Sequence, residues 1–569
     1  MAATNPEVPT DVSGLNRKYA EVTKRLELLE ALSADIAAGR LSEQLRAECP
    51  ELAKKTADVE KLRYRAGIMK RRIAELDGAE KKRSPPKEQK LAVKYVRVLD
   101  YGHSILERLV AVFGQTVKQV GLDVAVQLRE TTNLNFGDYQ FDSCPLIAKK
   151  LADAGVRLSP VEVAARLMAA LPPVDLVARV EGAKFFINVF LEPRVVGQRG
   201  VAMPELERRV VCIDFSSPNI AKQMHVGHLR STIIGESMAR LLEFVGYDVR
   251  RINHIGDWGT HRADFQEIYR RLDVRIEERG ESFYQERMKG VVQLLEERKL
   301  LSDGGFTYDT SDLATIQHRL FEERAEWLLY VVDAGQAAHF ETIFAAARHL
   351  GWYEREKTRV EHVQFGVVLG DDKKKFKTRS GDTVRLTDLL DEGVLSTEEM
   401  EAAKEAVAYG CIRYADLQSG RVSDYVFSFD RMLDDRGNTA AYLLYAHARI
   451  CSIIRTAGVD PERTAAYVDA LPDGVLPLDH PAELKLGKQL LRLSDVLLTV
   501  LESLHLHKLC DYVYQLTKML SDFYKECYVV EKREDGPHVN LHRLVLCEVA
   551  AQVMRTCFKI LGIRPLEKM

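Results

Sequence analysis

A chain of 569 residues, 46% hydrophobic and 29% charged, carries more apolar side chain than one core holds, which predicts about three to four domains of a globular protein. Its formal net charge of −3 excludes a protein that lives by coating nucleic acid, so any RNA contact must use local patches. No run of eighteen apolar residues occurs, and MAATNPEVPTDVSG has no apolar core behind a positive flank, so neither a membrane span nor a secretory signal is expected. Nine scattered cysteines without a CxxC pair suit a reducing compartment and argue against a disulfide framework or a zinc site.

Residues 13–36 place Leu15, Tyr19, Val22, Leu26, Leu29 and Ile36 at steps of four and three, with Ser33 filling one place. Residues 59–76 repeat the stripe through Val59, Leu62, Ala66, Met69, Ile73 and Leu76. Such a seam predicts a coiled coil, either a helical hairpin closed on itself or a zipper offered to another protein. Lys81 to Lys87, with Pro85 and Pro86, reads as a linker. Residues 94–196 predict a small α/β domain: a helix over 95–121, a strand at VAVQLRE, helices near 144–171 and a strand at FFINVFL.

RRVVCIDFSS, residues 208–217, reads as a buried parallel strand ending in small polar residues. A helix follows through Ile234, Met238, Leu241, Leu242 and Val245, then Gly246, then a second strand at YDVRRINHIGD. This is a βαβ unit, and a nucleotide would sit beyond its strand ends against the helix start. Further strands are expected at WLLYVVDAG and EHVQFGVVLG. From about 425 the chain reads as helical to its end, including 484–529 and 541–561.

The strand–helix junction runs Asp214-Phe-Ser-Ser-Pro-Asn219-Ile-Ala-Lys222-Gln-Met-His225-Val-Gly227-His228. His225 and His228 share a helix face, Gly227 allows close approach, and Lys222 adds a point charge. His-x-Gly-His looks like the signature of class I aminoacyl-tRNA synthetases, and the whole string SSPNIAKQMHVGHLRST resembles the arginyl members of that family. The family's second signature is a lysine-rich loop. DDKKKFKTRSGDT is its counterpart, where Thr378, Arg379 and Ser380 match the last three positions and Arg379 replaces the second lysine. Positive charge there, from Lys377 and Arg379, would stabilise departing pyrophosphate, with Lys222 compensating for the changed signature. NHIGDWGT is similar to the family too, implying that Gly256, Trp258 and Gly259 meet the nucleotide.

The resemblance implies that Asn219, Glu281, Tyr308, Asp312 and Gln336 hold the substrate arginine. Glu281 and Asp312 would face the guanidinium, because a carboxylate pairs that planar fork in bidentate fashion. It implies ATP with Mg²⁺ as co-substrate, L-arginine and tRNA(Arg) as partners, and a cytoplasmic location; no metal site of the chain's own is expected. The heptad stripes and the linker after them make residues 1–93 a coiled-coil extension, and the resemblance assigns 94–196 to an added tRNA-contacting domain, with Asn133 and Phe136 as contacts. Residues 197–425 become a Rossmann-like parallel-sheet catalytic domain. Residues 426–569 become an all-helical anticodon-binding domain, with Tyr442, Tyr445 and Met569 on RNA. Residues 13–76 would join a multi-synthetase complex. The chain departs from the family after Thr260, where a long helical segment is missing, and again before Ser302. Those losses leave a second reading, a non-catalytic scaffold of a synthetase assembly.

Overall fold

The computed structural model describes residues 104–569 apart from 120–123, 132–135, 199–200, 202, 205, 219–223, 256–261, 301–307, 371–385, 396–400, 535 and 569. The chain divides into two compact units, Met1–Val93 and Lys94–Met569. The heptad stripes and the linker lie outside the described residues, so the architecture below is that of the second unit.

Its first part opens with helix α1 (Ile105–Gln119), whose Ile105, Leu109, Phe113 and Val117 repeat at helical spacing and are buried. Strands β1 (Leu128–Glu130) and β2 (Tyr139–Phe141), helices α2 (Cys144–Asp153) and α3 (Pro160–Ala170), and strands β3 (Val177–Ala183) and β4 (Phe186–Leu191) follow. The strands form an antiparallel sheet in the order β1-β2-β4-β3. Phe113 stacks on Phe141 at 4.8 Å between ring centroids. Ser159 and Glu162 close a capping box with Pro160 behind it, which fixes the start of α3. Strand β3 carries VARVEGA on an edge, mostly exposed or half-buried; its charges and glycine hide it from a hydrophobic pattern.

Short helix α4 (Pro193–Gln198) leads into a parallel sheet of β5 (Val210–Asp214), β6 (Asp248–Ile255), β7 (Glu277–Gly280), β8 (Trp327–Tyr330) and β9 (Arg359–His362). The strand order is β7-β6-β5-β8-β9, with every pair parallel. Helices α5 (Val226–Phe244), α6 (Arg262–Arg271), α7 (Glu281–Glu297), α8 (Tyr308–Phe321) and α9 (Ala337–His349) make the connections. Strand β5 is central and buried on both faces. Val211 and Ile213 face the cluster containing α5, while Cys212 faces the cluster of α7, α8 and α9. Despite the short stretch after Thr260, β6 pairs with β7 over Ile252–Ile255, with α6 between them. Strand order reverses at β5, so the crevice beyond its carboxyl end is the expected ligand position.

The remainder comprises β10 (Val368–Leu369), α10 (Leu386–Leu395), α11 (Glu401–Leu417), β11 (Tyr425–Val426), α12 (Phe429–Met432), α13 (Ala440–Ala457), α14 (Pro461–Asp469), α15 (Pro481–Leu491), α16 (Leu493–Ser503), α17 (His507–Glu526), β12 (Val530–Arg533), β13 (Gly536–Val539) and α18 (Leu541–Leu561). The expectation of an all-helical end is corrected by β12 and β13, an antiparallel hairpin. Gly536 opens β13 with φ 118°, a conformation that suits glycine. Helix α18 is the bundle's hub: thirteen of its side chains are buried, because it packs on both α13 and α5. All eight described cysteines are free and buried. Among the described residues no helix is long and apolar enough to cross a membrane.

Two polar junctions tie these layers together. Tyr139 donates to Asp495 Oδ2 at 2.6 Å, and Lys488 Nζ pairs with Asp138 at 2.8 Å, joining the first sheet to α15 and α16. Arg230 on α5 pairs with Asp416 on α11 at 3.0 Å, both fully buried, and also donates to the carbonyls of Gly366 and Ser423. Removing one partner of such a pair strands a charge in the core. Asp416→Ala should therefore cost about 3–5 kcal/mol, read as a large fall in the denaturation midpoint; an unchanged midpoint would contradict this role for the pair.

Candidate active site

Strand β5 ends at Asp214, and the next three residues turn the chain toward α5. Ser216 and Ser217 have φ of 68° and 36°, left-handed conformations that cost a non-glycine residue energy unless neighbours hold it there. Here they do. Ser216 N–H donates to Ser231 Oγ at 2.8 Å, and Thr232 donates to Ser216 Oγ at 2.9 Å. Ser216 Oγ and the Tyr269 hydroxyl lie 2.8 Å apart. Ser217 N–H donates to Asn253 Oδ1 at 2.9 Å, its hydroxyl donates to Asp214 Oδ1 at 2.7 Å, and it accepts from His254 N–H at 3.1 Å. Phe215 lies so close to Gly235 that a Cβ there would overlap its ring. Only glycine lets α5 lie this near the corner.

Helix α5 begins with a cap made of two imidazoles. His225 Nδ1 accepts from Gly227 N–H at 3.0 Å, and His225 N–H donates to His228 Nδ1 at 3.2 Å. The rings are 4.0 Å apart. These histidines take the parts that Ser and Glu play in an ordinary capping box. Because both Nδ1 atoms accept, the neutral rings carry their proton on Nε2. Each ring thus has an N–H donor at a helix start, whose dipole already favours an anion. A Cβ on Gly227 would stand 2.7 Å from His225 Cε1. The glycine is thus required by the imidazole folded over it, a reason internal to the chain.

Asp214 also accepts from Arg319 Nη2 at 2.6 Å, with side-chain exposures of 9% and 1%. Arg319 lies on α8, its guanidinium 5.0 Å from the Tyr330 ring centroid. The same helix bears Asp312 two turns earlier, where His339 Nε2 lies 2.7 Å from Asp312 Oδ2 and His339 Nδ1 lies 3.3 Å from Asp309. Burial pushes the Asp312 carboxyl above its ordinary value, and the bond from His339 opposes this. Burial pulls His254 on β6 below the ordinary imidazole value, while the carboxylates of Asp214, Asp312 and Glu281 pull it the other way. Asp312 and Glu281 therefore lie within electrostatic reach of one imidazole, on the same side of the sheet. Glu281 is the exposed first residue of α7, just past β7. Gln336 is exposed in the one-turn helix Ala334–Gln336 after β8. Tyr308 starts α8 and is 83% exposed.

The structure thus gathers His225, Gly227, His228, Glu281, Asp312 and Gln336 at the carboxyl edge of the parallel sheet. Asn219, Lys222, Gly256, Trp258, Gly259, Lys377, Thr378, Arg379 and Ser380 lie outside the described residues, as do Asn133 and Met569. Of the other RNA candidates, Phe136 is 52% and Tyr445 59% exposed. Tyr442 is half-buried, packed edge-on against Tyr514 with centroids 6.0 Å apart, which leaves less of its ring for stacking. Sequence reading gave no role to Asp214, Ser217, His254, Arg319 or His339. A lone acid closing an apolar strand was a usable signal for Asp214, and the i+7 spacing from Asp312 was one for Arg319. Among the described residues no three His, Cys, Asp or Glu side chains form a metal-holding group. Chemically, the edge offers donors for an anion at the start of α5 and, on α8, a mostly buried carboxylate for a cation.

Three family models match the chain. "tRNA synthetases class I (R), catalytic domain" matches residues 194–263 and 299–429, "DALR anticodon binding domain" matches 443–569, and "Arginyl tRNA synthetase N terminal domain" matches 103–191. Residues 264–298, which include Glu281, fall between the matched stretches. A protein of Caenorhabditis elegans named "Probable arginine--tRNA ligase, cytoplasmic" is 42% identical over 705 aligned residues, covering 97% of this chain and 98% of that one. The alignment is longer than this 569-residue chain, so that relative carries segments absent here. The Homo sapiens protein named "Arginine--tRNA ligase, cytoplasmic" is 43% identical, covering 82% of this chain and 89% of that one. The crystal structure of an arginyl-tRNA synthetase from Plasmodium falciparum superposes with a TM-score of 0.72 at 26% identity, covering 83% of this chain and 100% of that one. The Thermus thermophilus arginyl-tRNA synthetase shares the fold, with a TM-score of 0.67 at 19% identity over 82% of this chain and 100% of that one.

Replacing Gly227 by alanine should expel the His225 ring from its cap and cost about 1 kcal/mol. A crystal structure of the variant showing the imidazole displaced, with a lower melting temperature, is the expected result; a ring left in place would contradict it.

Proposed function

Because this chain belongs to the arginyl-tRNA synthetase family of class I, we propose that it activates L-arginine with ATP and transfers it to tRNA(Arg) in the cytoplasm. One observation carries the reading: a helix start with two Nε2–H donors and a mostly buried carboxylate share one sheet edge, joined through Asp214 and Arg319. The family comparisons give no support to a scaffold without catalysis.

The donor set suits a triphosphate. The His225 and His228 Nε2–H groups, at the positive end of the α5 dipole, would hold phosphate oxygens. By family resemblance Lys222, Lys377, Thr378, Arg379 and Ser380 would add charge and hydrogen bonds at the leaving pyrophosphate, with Gly256, Trp258 and Gly259 around the nucleoside. Mg²⁺, arriving with ATP, would neutralise part of the phosphate charge. Asp312 would pair the guanidinium, helped by Glu281. Tyr308 would cover its flat face, and Asn219 and Gln336 would meet the backbone groups of arginine. The arginine carboxylate then attacks the α-phosphorus in line with departing pyrophosphate, giving arginyl-adenylate. A hydroxyl of the 3′-terminal ribose attacks the carbonyl and releases AMP. No general base is demanded, because positioning and charge neutralisation lower the barrier.

Tyr445 and Phe136, with Asn133, Tyr442 and Met569, are the candidates for RNA contact, since exposed rings can stack on splayed bases. Residues 13–76 would join a multi-synthetase complex. Deleting residues 1–80 should release such partners and leave aminoacylation intact; lost catalysis would contradict an adaptor role.

Arginine-dependent ATP–pyrophosphate exchange, run with and without tRNA, tests the reading. Exchange that requires arginine is expected, and a folded protein silent under both conditions would overturn it. Asp312→Ala should weaken arginine binding by about 2–5 kcal/mol while sparing ATP binding; normal arginine affinity would reject its role. The raised carboxyl of Asp312 gives a pH signature. In the free protein the proton is held above the ordinary aspartate range, and it competes with the cation. Arginine affinity should therefore rise as pH increases through that raised range, with proton uptake by the buffer measured calorimetrically. Affinity independent of pH there would count against Asp312 as the partner.

A further inference from the structure

A cleft of about 620 Å³ opens beside the far end of α5, lined also by α6, α11 and the chain at the end of α18. Seven cationic side chains and two carboxylates line it. Four of the cations are already engaged: Arg240 with Glu236 and Asp273, Arg270 with Glu267, Arg271 with Asp391, and Arg555 with Cys451. Arg413 is different. Its side chain is 1% exposed, yet neither Nη1 nor Nη2 has a hydrogen-bond partner among the described residues.

The Arg413 guanidinium packs against the carboxyl end of α18. Gly562 there has φ 71°, and a Cβ on it would fall on Arg413 Nη1. The negative end of the helix dipole eases the burial but donates no acceptor along the N–H directions. Burial, helped by the Arg240 charge and opposed by the Glu236 and Asp273 carboxylates, pulls the guanidinium down to about 10, so it remains protonated at neutral pH. Buried donors left unpaired are costly, and a buried cation with two of them calls for an anion.

We propose that this cleft is a second anion site, in which Arg413 takes a phosphate group at the floor and Lys559 and Arg564 hold further charge at the rim. The planar fork of a guanidinium matches two phosphate oxygens, and the pairing would relieve its unpaired state. The site is separate from the proposed catalytic edge: Arg240 stands roughly 20 Å along α5 from Val226, at about 1.5 Å per residue. A buried floor favours a compact free polyphosphate over the backbone of a folded RNA, which would ride on the rim.

Pyrophosphate titrated calorimetrically at constant ionic strength tests this, reading the number of sites. Arg413→Met should bind one pyrophosphate fewer than the unaltered chain, whether or not the catalytic edge also binds it, so failure here and failure of the proposed function are distinguishable. Affinity at the lost site should fall on the order of 100-fold. The variant should melt no lower than the unaltered chain without ligand, because an unpaired buried charge has been removed. Should that variant fail to fold, Lys559→Ala with Arg564→Ala on the exposed rim should weaken the same site by up to roughly 5-fold each. An unchanged number of sites in folded Arg413→Met, or an unmoved affinity in the rim variant, would overturn the proposal. So would Arg413-dependent binding of tRNA without Arg413-dependent binding of pyrophosphate, which would assign the cleft to RNA backbone.

Discussion

Asp214 and Arg319 meet at 2.6 Å with both side chains almost wholly removed from water, and the carboxyl edge of the sheet is organised around that contact. Asp214 ends the central strand and accepts from Ser217 with its other oxygen. Arg319 sits on α8, two turns beyond Asp312 on the same helix face. One ion pair thereby links the corner proposed to bind an anion to the helix that carries the carboxylate proposed to bind a cation. Burying two charges is expensive, and a well-packed apolar pair of the same volume could serve stability equally well. The pair makes sense as a device for alignment, since reacting groups misplaced by about 1 Å can lose on the order of 100-fold in rate.

The corner itself is held against its own preferences. Ser216 and Ser217 adopt left-handed backbone that their side chains disfavour, and Ser231, Thr232, Asn253, Tyr269 and His254 all bond to them. Those partners come from α5, β6 and α6, so each element that frames the corner also restrains it. The imidazole cap extends the same logic into α5: it orders the helix start and sets both ring tautomers. Donors fixed in this way need no reorganisation when negative charge develops beside them. The short stretch between β6 and β7 leaves this frame standing, because β6 still supplies Asn253 and His254 and α6 still supplies Tyr269.

Much of this was legible in the sequence because β5, α5 and β6 are long and strongly patterned. An apolar run, a helical stripe and a second apolar run have few other readings. The edge strand VARVEGA and the strand EERG were not legible, since neither has an apolar face. The hairpin at β12 and β13 carried its turn dipeptide, yet it sat inside a segment dominated by helical spacing. At the site, His225, His228 and Asp312 were visible as residue types in family-like strings. Their connections were not. Arg319 lies 105 residues from Asp214, and no local pattern signals a pair at that separation. Likewise the histidine cap replaces the Ser and Glu by which such boxes are usually recognised.

A crystal structure of the chain with a non-hydrolysable arginyl-adenylate analogue would probe the central alignment most directly. The guanidinium is expected within hydrogen-bond distance of Asp312, the phosphoryl oxygens against the start of α5 beside His225 and His228, and the Asp214–Arg319 pair unbroken. An analogue seated with its guanidinium away from Asp312, or its phosphate away from that helix start, would contradict it.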